Sequence, residues 1–259
     1  MIAEYLRPNT IEQALGLIDR LEPRSYAMGG GTILNRPSAE RYAVVDLQAL
    51  GLNQMEVSGN TLSVGATTTL QMLMDNGEIP AALRGAIQRE SNYHLRQVAS
   101  IAGTIVAADG RSRVAGCLLA MDATLMVVSN AAGEEQVRTG DLLALREARL
   151  RGKLITAVNI PLHVRLAFED VSRTAADEPI VYAAVAQWPS GRTRLVLGGT
   201  GKAPMMALDG PEAGGIETAA RIAYSQAQDE WASAEYRQEM ACLLAVRCLG
   251  QLNELSQGI

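Results

Sequence analysis

Histidine, cysteine and aromatic side chains are scarce in this 259-residue chain, which has two His, three Cys, one Phe and two Trp. The cysteines, Cys117, Cys242 and Cys248, form no Cys-x-x-Cys pair, and an odd, scattered set points to a reducing compartment. With only His94 and His163, the chain carries no evident zinc or iron–sulfur ligand set of its own and gives little support to nucleophilic catalysis. A net charge of −5 leaves no basic footprint, and the few aromatics offer no base-stacking surface, so a nucleic-acid partner is not expected. No apolar run is long enough to span a bilayer. The opening Met1-Ile2-Ala3-Glu4-Tyr5 lacks the apolar centre of a signal peptide, so the expected location is the cytoplasm.

Apolar residue is plentiful. At 48% hydrophobic and 20% charged, the composition is that of a globular chain with enough core for one large domain or two to three subdomains. Thr10-Ile11-Glu12-Gln13 reads as a capping box opening a helix to about Leu21. Ser25 to Met28 and Ala43 to Leu47 read as strands, and Met55–Val57 with Thr61–Val64 as a hairpin about Ser58-Gly59-Asn60. Thr67-Thr68-Thr69 offers a cap for a helix through Met74, and Pro80 opens another with Leu83, Ile87 and Tyr93 facing inward. Cys117–Met121 is helical, Thr124–Val128 and Gly152–Pro161 are strands, and Asp141 starts a short helix. Beyond about Leu166 come strands at Ile180–Gln187 and Thr193–Leu197. Two helices follow near Gly214–Gln226 and Ser233–Leu252, the last with a core face of Tyr236, Met240, Leu243, Leu244 and Leu249.

Two small-residue stretches stand apart. Met28-Gly29-Gly30-Gly31-Thr32-Ile33 follows a short strand, so its backbone can approach an anion closely, with successive N–H groups and the Thr32 hydroxyl aimed at phosphate oxygens. A plain turn explains the same residues. Val98-Ala99-Ser100-Ile101-Ala102-Gly103-Thr104-Ile105 reads by itself as a tight strand–turn–helix junction.

Taken in order, these stretches resemble the FAD-binding (medium) subunit of the molybdenum hydroxylases, the family of carbon monoxide and xanthine dehydrogenases. Residues 28–33 resemble its first flavin loop, Val45-Asp46-Leu47 its Val-Asp-Leu strand, and Gly65-Ala66-Thr67-Thr68 its Gly-Ala-x-Thr-Thr segment. Arg96 to Thr104 stands in register with the second flavin loop, Arg-Asn-x-[Ala/Gly]-[Thr/Ser]-Ile-Gly-Gly-Asn. Leu154 to Pro161, Phe168–Arg173 and Ser233-Ala234-Glu235-Tyr236-Arg237 are similar to later family segments, so the likeness spans nearly the whole chain.

The resemblance implies an α+β protein. Residues 1–164 would form an FAD-binding domain of the PCMH (vanillyl-alcohol-oxidase-like) type, with α/β subdomains of about 1–53 and 54–164. Residues 165–259 would form a C-terminal α+β domain with a small antiparallel sheet. It also implies that FAD takes electrons from [2Fe–2S] clusters of a small partner subunit, fed by a large molybdopterin subunit, and passes them to NAD⁺, a quinone or another acceptor, in a dimer of heterotrimers. The two loops would share the pyrophosphate through amides of Gly29 to Thr32 and Ala102, Gly103 and Thr104, with hydroxyls from Thr32, Ser100 and Thr104. Leu154 and Ile155 would meet the isoalloxazine edge. A flavin supplies its own redox chemistry, which suits a chain so poor in His and Cys. No residue of this chain is then expected to be catalytic, and no metal site is expected in it.

The departures are local. Gly-Gly-Asn becomes Ala102-Gly103-Thr104, adding a Cβ and shortening a polar reach. Arg113 stands where the family often carries an acid, with Asp109 nearby. The arginines could bind FAD phosphates, contact a partner subunit or reflect a changed pocket, and Asp109 with Arg113 reads equally well as a solvated surface pair. These departures leave a second reading open, a non-catalytic scaffold subunit with weakened or lost FAD; a stand-alone flavin oxidase is a third.

Overall fold

The computed structural model describes residues 1–257. The chain begins β1 (Ile2–Leu6), α1 (Ile11–Ile18), β2 (Ser25–Met28) and β3 (Tyr42–Asp46), followed by the hairpin β4 (Met55–Ser58) and β5 (Thr61–Gly65). Helices α2 (Leu70–Asp75), α3 (Ala81–Glu90), α4 (Tyr93–Arg96), α5 (Ile101–Ala107) and α6 (Arg113–Ala120) come next. Then come β6 (Thr124–Ser129), β7 (Gly133–Arg138), α7 (Thr139–Leu142), α8 (Arg146–Arg149) and β8 (Lys153–Pro161). Strands β9 (Arg165–Val171), β10 (Val181–Gln187), β11 (Thr193–Gly198) and β12 (Met205–Gly210) precede α9 (Ile216–Ala223) and α10 (Ala234–Gln257).

Two compact units result. The first comprises Met1–Asn76, Tyr93–Ala107 and Thr124–Ile160, and the second Gly77–Asn92, Ala108–Ala123 and Pro161 onward. In the first unit a parallel sheet runs β1-β3-β2, and a five-stranded sheet runs β4-β5-β8-β6-β7. All five residues of β3 are buried, as expected of a central parallel strand with both edges paired. Thr10 caps α1 by accepting from Gln13 N–H, and the Gln13 side chain accepts in return from Asn9 N–H at 3.1 Å, closing the expected box one residue earlier. Helix α1 packs Ala14 and Leu15 on Val45, Leu47 and Leu154.

The second unit is built on the antiparallel sheet β12-β11-β10-β9. One face of β10 and β11 (Val181, Val185, Leu195, Leu197) packs on Ala241, Leu244, Ala245 and Cys248 of α10. Tyr182 wedges against α6, donates its hydroxyl to Ser112 O at 2.9 Å, and lies where a Cβ on Gly116 would come 2.5 Å from Cε2. A Cβ on Gly198 would overlap the same ring. At the sheet edge Asp209 accepts from Arg192 and Arg194, and Arg194 also pairs with Asp122 at 3.1 Å. The Arg192 guanidinium lies 4.4 Å from the centre of the Trp188 ring, which is half-buried beneath it.

The mixed α/β architecture, with its antiparallel C-terminal sheet, is the expected one. Several details differ. Tyr93 is 57% exposed, because α3 ends at Glu90 and Ser91 is extended, which breaks the period that pointed Tyr93 inward. Helix α10 turns Ala241, Leu244, Ala245, Cys248 and Leu252 to the core, and Tyr236 and Leu243 outward. Helix α1 stops at Ile18, with Asp19 as its C-cap. Strands β1, β9 and β12 had no counterpart in the sequence reading.

Tyr182→Phe is expected to lower stability by about 1 kcal/mol through the lost hydroxyl hydrogen bond, the Ser112 carbonyl still accepting from Gly116 N–H at 3.1 Å, and Gly116→Ala by about 1–3 kcal/mol through overpacking, both read from denaturation midpoints. Chiefly through the Arg192 hydrogen bond, the Asp209 pKa is held down to about 2. Its stabilising effect is therefore complete above the ordinary carboxylate range and is lost as pH falls through about 2. Asp209→Asn should flatten that acid limb in a stability–pH profile.

Candidate cofactor-binding site

The carboxyl end of a parallel sheet is where open α/β folds gather ligands, because the loops leaving adjacent strands converge there. In the first unit β2 ends at Met28 and β3 at Asp46, paired side by side. The chain leaving β2 is Gly29-Gly30-Gly31-Thr32. Gly31 adopts φ +69°, and Asn35 N–H closes a single helical turn on Gly31 O at 3.1 Å. Among the described residues, no hydrogen bond uses the amide N–H of Gly29, Gly30, Gly31, Thr32 or Ile33. Five successive donors at a turn are what an anion needs.

The second loop lies directly against the first. A Cβ on Gly29 would come 2.9 Å from Ser100 Cβ, and a Cβ on Gly30 would overlap Val98 O and come 2.5 Å from Val98 C. Glycine at 30 is thus required by the approach of the second backbone, and glycine at 29 leaves room for the Ser100 side chain. The sequence ascribed it to a phosphate.

The second loop is also not a loop where the donors were expected. Ile101 to Ala107 is helix α5, tied down by Ile101 N–H to Thr68 O at 2.9 Å and by a bridge between Thr69 and Ser100. Ala102 N–H donates to Ala66 O at 3.2 Å, Gly103 N–H to Ser100 Oγ at 3.2 Å and Thr104 N–H to Ser100 O at 2.9 Å. The Thr104 hydroxyl donates to the same Ser100 carbonyl. The expectation that Ala102, Gly103 and Thr104 offer free donors is therefore corrected: helix capping and the Ala66 carbonyl take them. Beside this helix Thr68 Oγ1 is fully buried and has no hydrogen-bond partner.

The remaining site residues divide by unit. Leu154 and Ile155 are 3% and 4% exposed, and Leu154 belongs to the α1 core, so a ring edge on β8 would meet mainly backbone. Asp109 and Arg113 fall in the second unit. Arg113 is not a solvated partner of Asp109: it is 2% exposed and pairs with Asp170 at 2.8 Å. It also donates to Arg89 O and Asp177 O. Its backbone N–H and that of Val114 donate to Glu90, whose carboxylate thereby caps α6 beside Ser112. Burial pushes the Glu90 pKa up, and the hydrogen bonds from Ser112, Val114 and Arg113 oppose that rise. Asp109 is exposed and accepts from Arg111 N–H. His94 and His163 are both exposed. The sequence reading missed Gln48, which donates from Nε2 to Gly29 O at 2.9 Å; its place two residues after Asp46, in a turn closing on that carboxylate, was the available signal.

Residues 1–163 match the family described as the FAD binding domain in molybdopterin dehydrogenase. The chain is 32% identical over 201 residues to the uncharacterized protein YgfM of Escherichia coli strain K12, covering 77% of this chain and 75% of that protein. Among solved structures it shares its fold with carbon monoxide dehydrogenase from Oligotropha carboxidovorans (TM-score 0.80, 23% identity, 95% of this chain and 96% of that one). It shares it also with quinoline 2-oxidoreductase from Pseudomonas putida 86 (TM-score 0.76, 21% identity, 96% and 95%). The family match covers the strand, the glycine turn and the five open amides together, and the chain belongs to the FAD-binding domain family of the molybdopterin dehydrogenases.

Proposed function

We propose that this chain is the flavoprotein subunit of a molybdenum hydroxylase and that it grips FAD chiefly through its first glycine turn. The observation that carries the reading is the row of open amides from Gly29 to Ile33 at the carboxyl end of β2. A dinucleotide fits this part of the chain: the amides suit a pyrophosphate, the Thr32 hydroxyl lies at the same turn, and Thr68 Oγ1 is a buried polar atom lacking a partner. When bound, FAD supplies the step between one-electron carriers and a terminal acceptor. The chain's own residues bind and orient the dinucleotide, with Met28 and Ile33 flanking the turn and Ser100 seated against Gly29.

In this reading the iron–sulfur clusters and the molybdopterin belong to partner subunits; among the described residues no group of three or more His, Cys, Asp or Glu is placed to hold a metal ion. Carbon monoxide dehydrogenases that contain molybdenum are among the proteins of similar fold. NAD⁺ or a quinone as acceptor, a dimer of heterotrimers and a cytoplasmic location complete the reading, as does a domain division at residues 164/165. No described helix is long and apolar enough to cross a membrane.

One observation favours the scaffold alternative, in which FAD is weakly held or lost: the amides of Ala102, Gly103 and Thr104 are spent inside the chain. The flavin absorption of the purified complex separates the two readings. Visible flavin bands at about one FAD per chain support the first, and a colourless chain copurifying with its partners supports the second.

The division of labour between the loops gives a paired prediction. Thr32→Ala should weaken FAD binding about tenfold, the equivalent of one hydrogen bond to a charged group at about 1.5 kcal/mol. Thr104→Ala should leave the affinity within about threefold, because that hydroxyl is committed to Ser100 O. Gly30→Ala should lower flavin content and stability together, since its Cβ meets the Val98 carbonyl; calorimetric titration and thermal melts of the same samples read both.

A further inference from the structure

Three glycines in succession leave the first turn with no side chains to hold its peptide planes, so something outside the turn must fix where the N–H groups point. Packing against the second loop fixes the Cα of Gly30. It does not orient the peptide between Gly29 and Gly30. That peptide is trans, so its carbonyl and its N–H point in opposite directions, and a group that anchors the carbonyl also aims the N–H.

The carbonyl of Gly29 is anchored by one side chain, Gln48, whose Nε2 donates to it at 2.9 Å. Gln48 is itself held. Its backbone N–H donates to Asp46 Oδ1 at 3.0 Å, and the Asp46 side chain is 4% exposed. Asp46 also accepts from the Tyr5 hydroxyl and lies 3.7 Å from Arg7 Nε, both at the end of the neighbouring strand β1. One residue earlier, Leu47 N–H donates to Met28 O at 3.0 Å, extending the β2–β3 ladder to the edge of the glycine turn. Gln48 is exposed and belongs to no apolar cluster, so nothing in the core accounts for it.

We propose that Gln48 is the positioning residue of the phosphate turn: seated on Asp46, it pulls the Gly29 carbonyl to its own side and so turns the Gly30 N–H toward the bound pyrophosphate. The assignment rests on the flavin reading above and adds to it a residue outside both glycine loops. Gln48 touches neither the phosphate nor the ring; it acts through the Gly29–Gly30 peptide. The Val45-Asp46-Leu47 strand thereby gains a second task, carrying the seat for this side chain at its carboxyl end.

The test uses the full chain, stripped of flavin and titrated with FAD. Gln48→Met keeps the length and removes the donor without adding charge. Gln48→Glu keeps the shape and turns the donor into an acceptor until it is protonated. Both variants should keep the thermal midpoint of the flavin-free wild-type chain, since the residue is exposed. Both should bind FAD about tenfold more weakly at neutral pH. The Gln48→Glu loss should reverse as pH falls through about 4, where a protonated carboxyl again donates to the Gly29 carbonyl, and the Gln48→Met loss should not. Wild-type affinity in Gln48→Met, or a Gln48→Glu loss that persists at low pH, overturns the assignment while leaving the flavin reading intact. A wild-type chain that binds no FAD overturns the flavin reading and this assignment with it.

Discussion

The close approach of the second segment to the first, the Val98 carbonyl against Gly30 and the Ser100 side chain against Gly29, is the constraint on which the proposed site depends. A Cβ at Gly30 would overlap the Val98 carbonyl, so glycine there is required by packing within the chain before any ligand is considered. The first keeps its amides open because Gly31 sits at φ +69° and the chain leaves the sheet edge in a turn. The second folds its amides into α5 and onto Ala66.

The same economy governs the departures from the family pattern. Arg113 replaces an expected acid, yet it introduces no stray charge, because Asp170 comes from β9 to meet it and two backbone carbonyls complete its fork. A buried guanidinium left unpaired would cost several kcal/mol. Beside the Arg113–Asp170 pair, Glu90 caps helix α6 by accepting from the Arg113 and Val114 N–H groups.

Local signals were legible where they were self-contained. The Thr10 and Thr69 caps, the Ser25–Met28 strand and the turn at Gly59 each rest on residues within a few positions of one another, and each stands where the sequence put it. Other features depend on partners far along the chain. Val98 to Ile105 reads as a tight strand–turn–helix junction, and a helix does begin at Ile101; what the residues do not reveal is that Thr68, Thr69 and Ala66, some 30 positions earlier, hold its entrance. Arg113 was visible as an anomaly, but its partner lies 57 residues away. Strand β12, Met205–Gly210, is a half-exposed edge that carries no alternation to read. The first loop's chemistry could be proposed from sequence. That its glycines also serve the second loop could not, since no pattern in residues 28–33 encodes the nearness of Val98.

The central claim is that phosphate binding falls to the amides of residues 29–33 and not to those of residues 102–104. Amide hydrogen exchange of the flavin-free chain, with and without saturating FAD, measures this directly. The account predicts new protection at Gly29 to Ile33, with exchange at Ala102, Gly103 and Thr104 already slow and unchanged by FAD. Protection gained at 102–104 with none at 29–33 would contradict it.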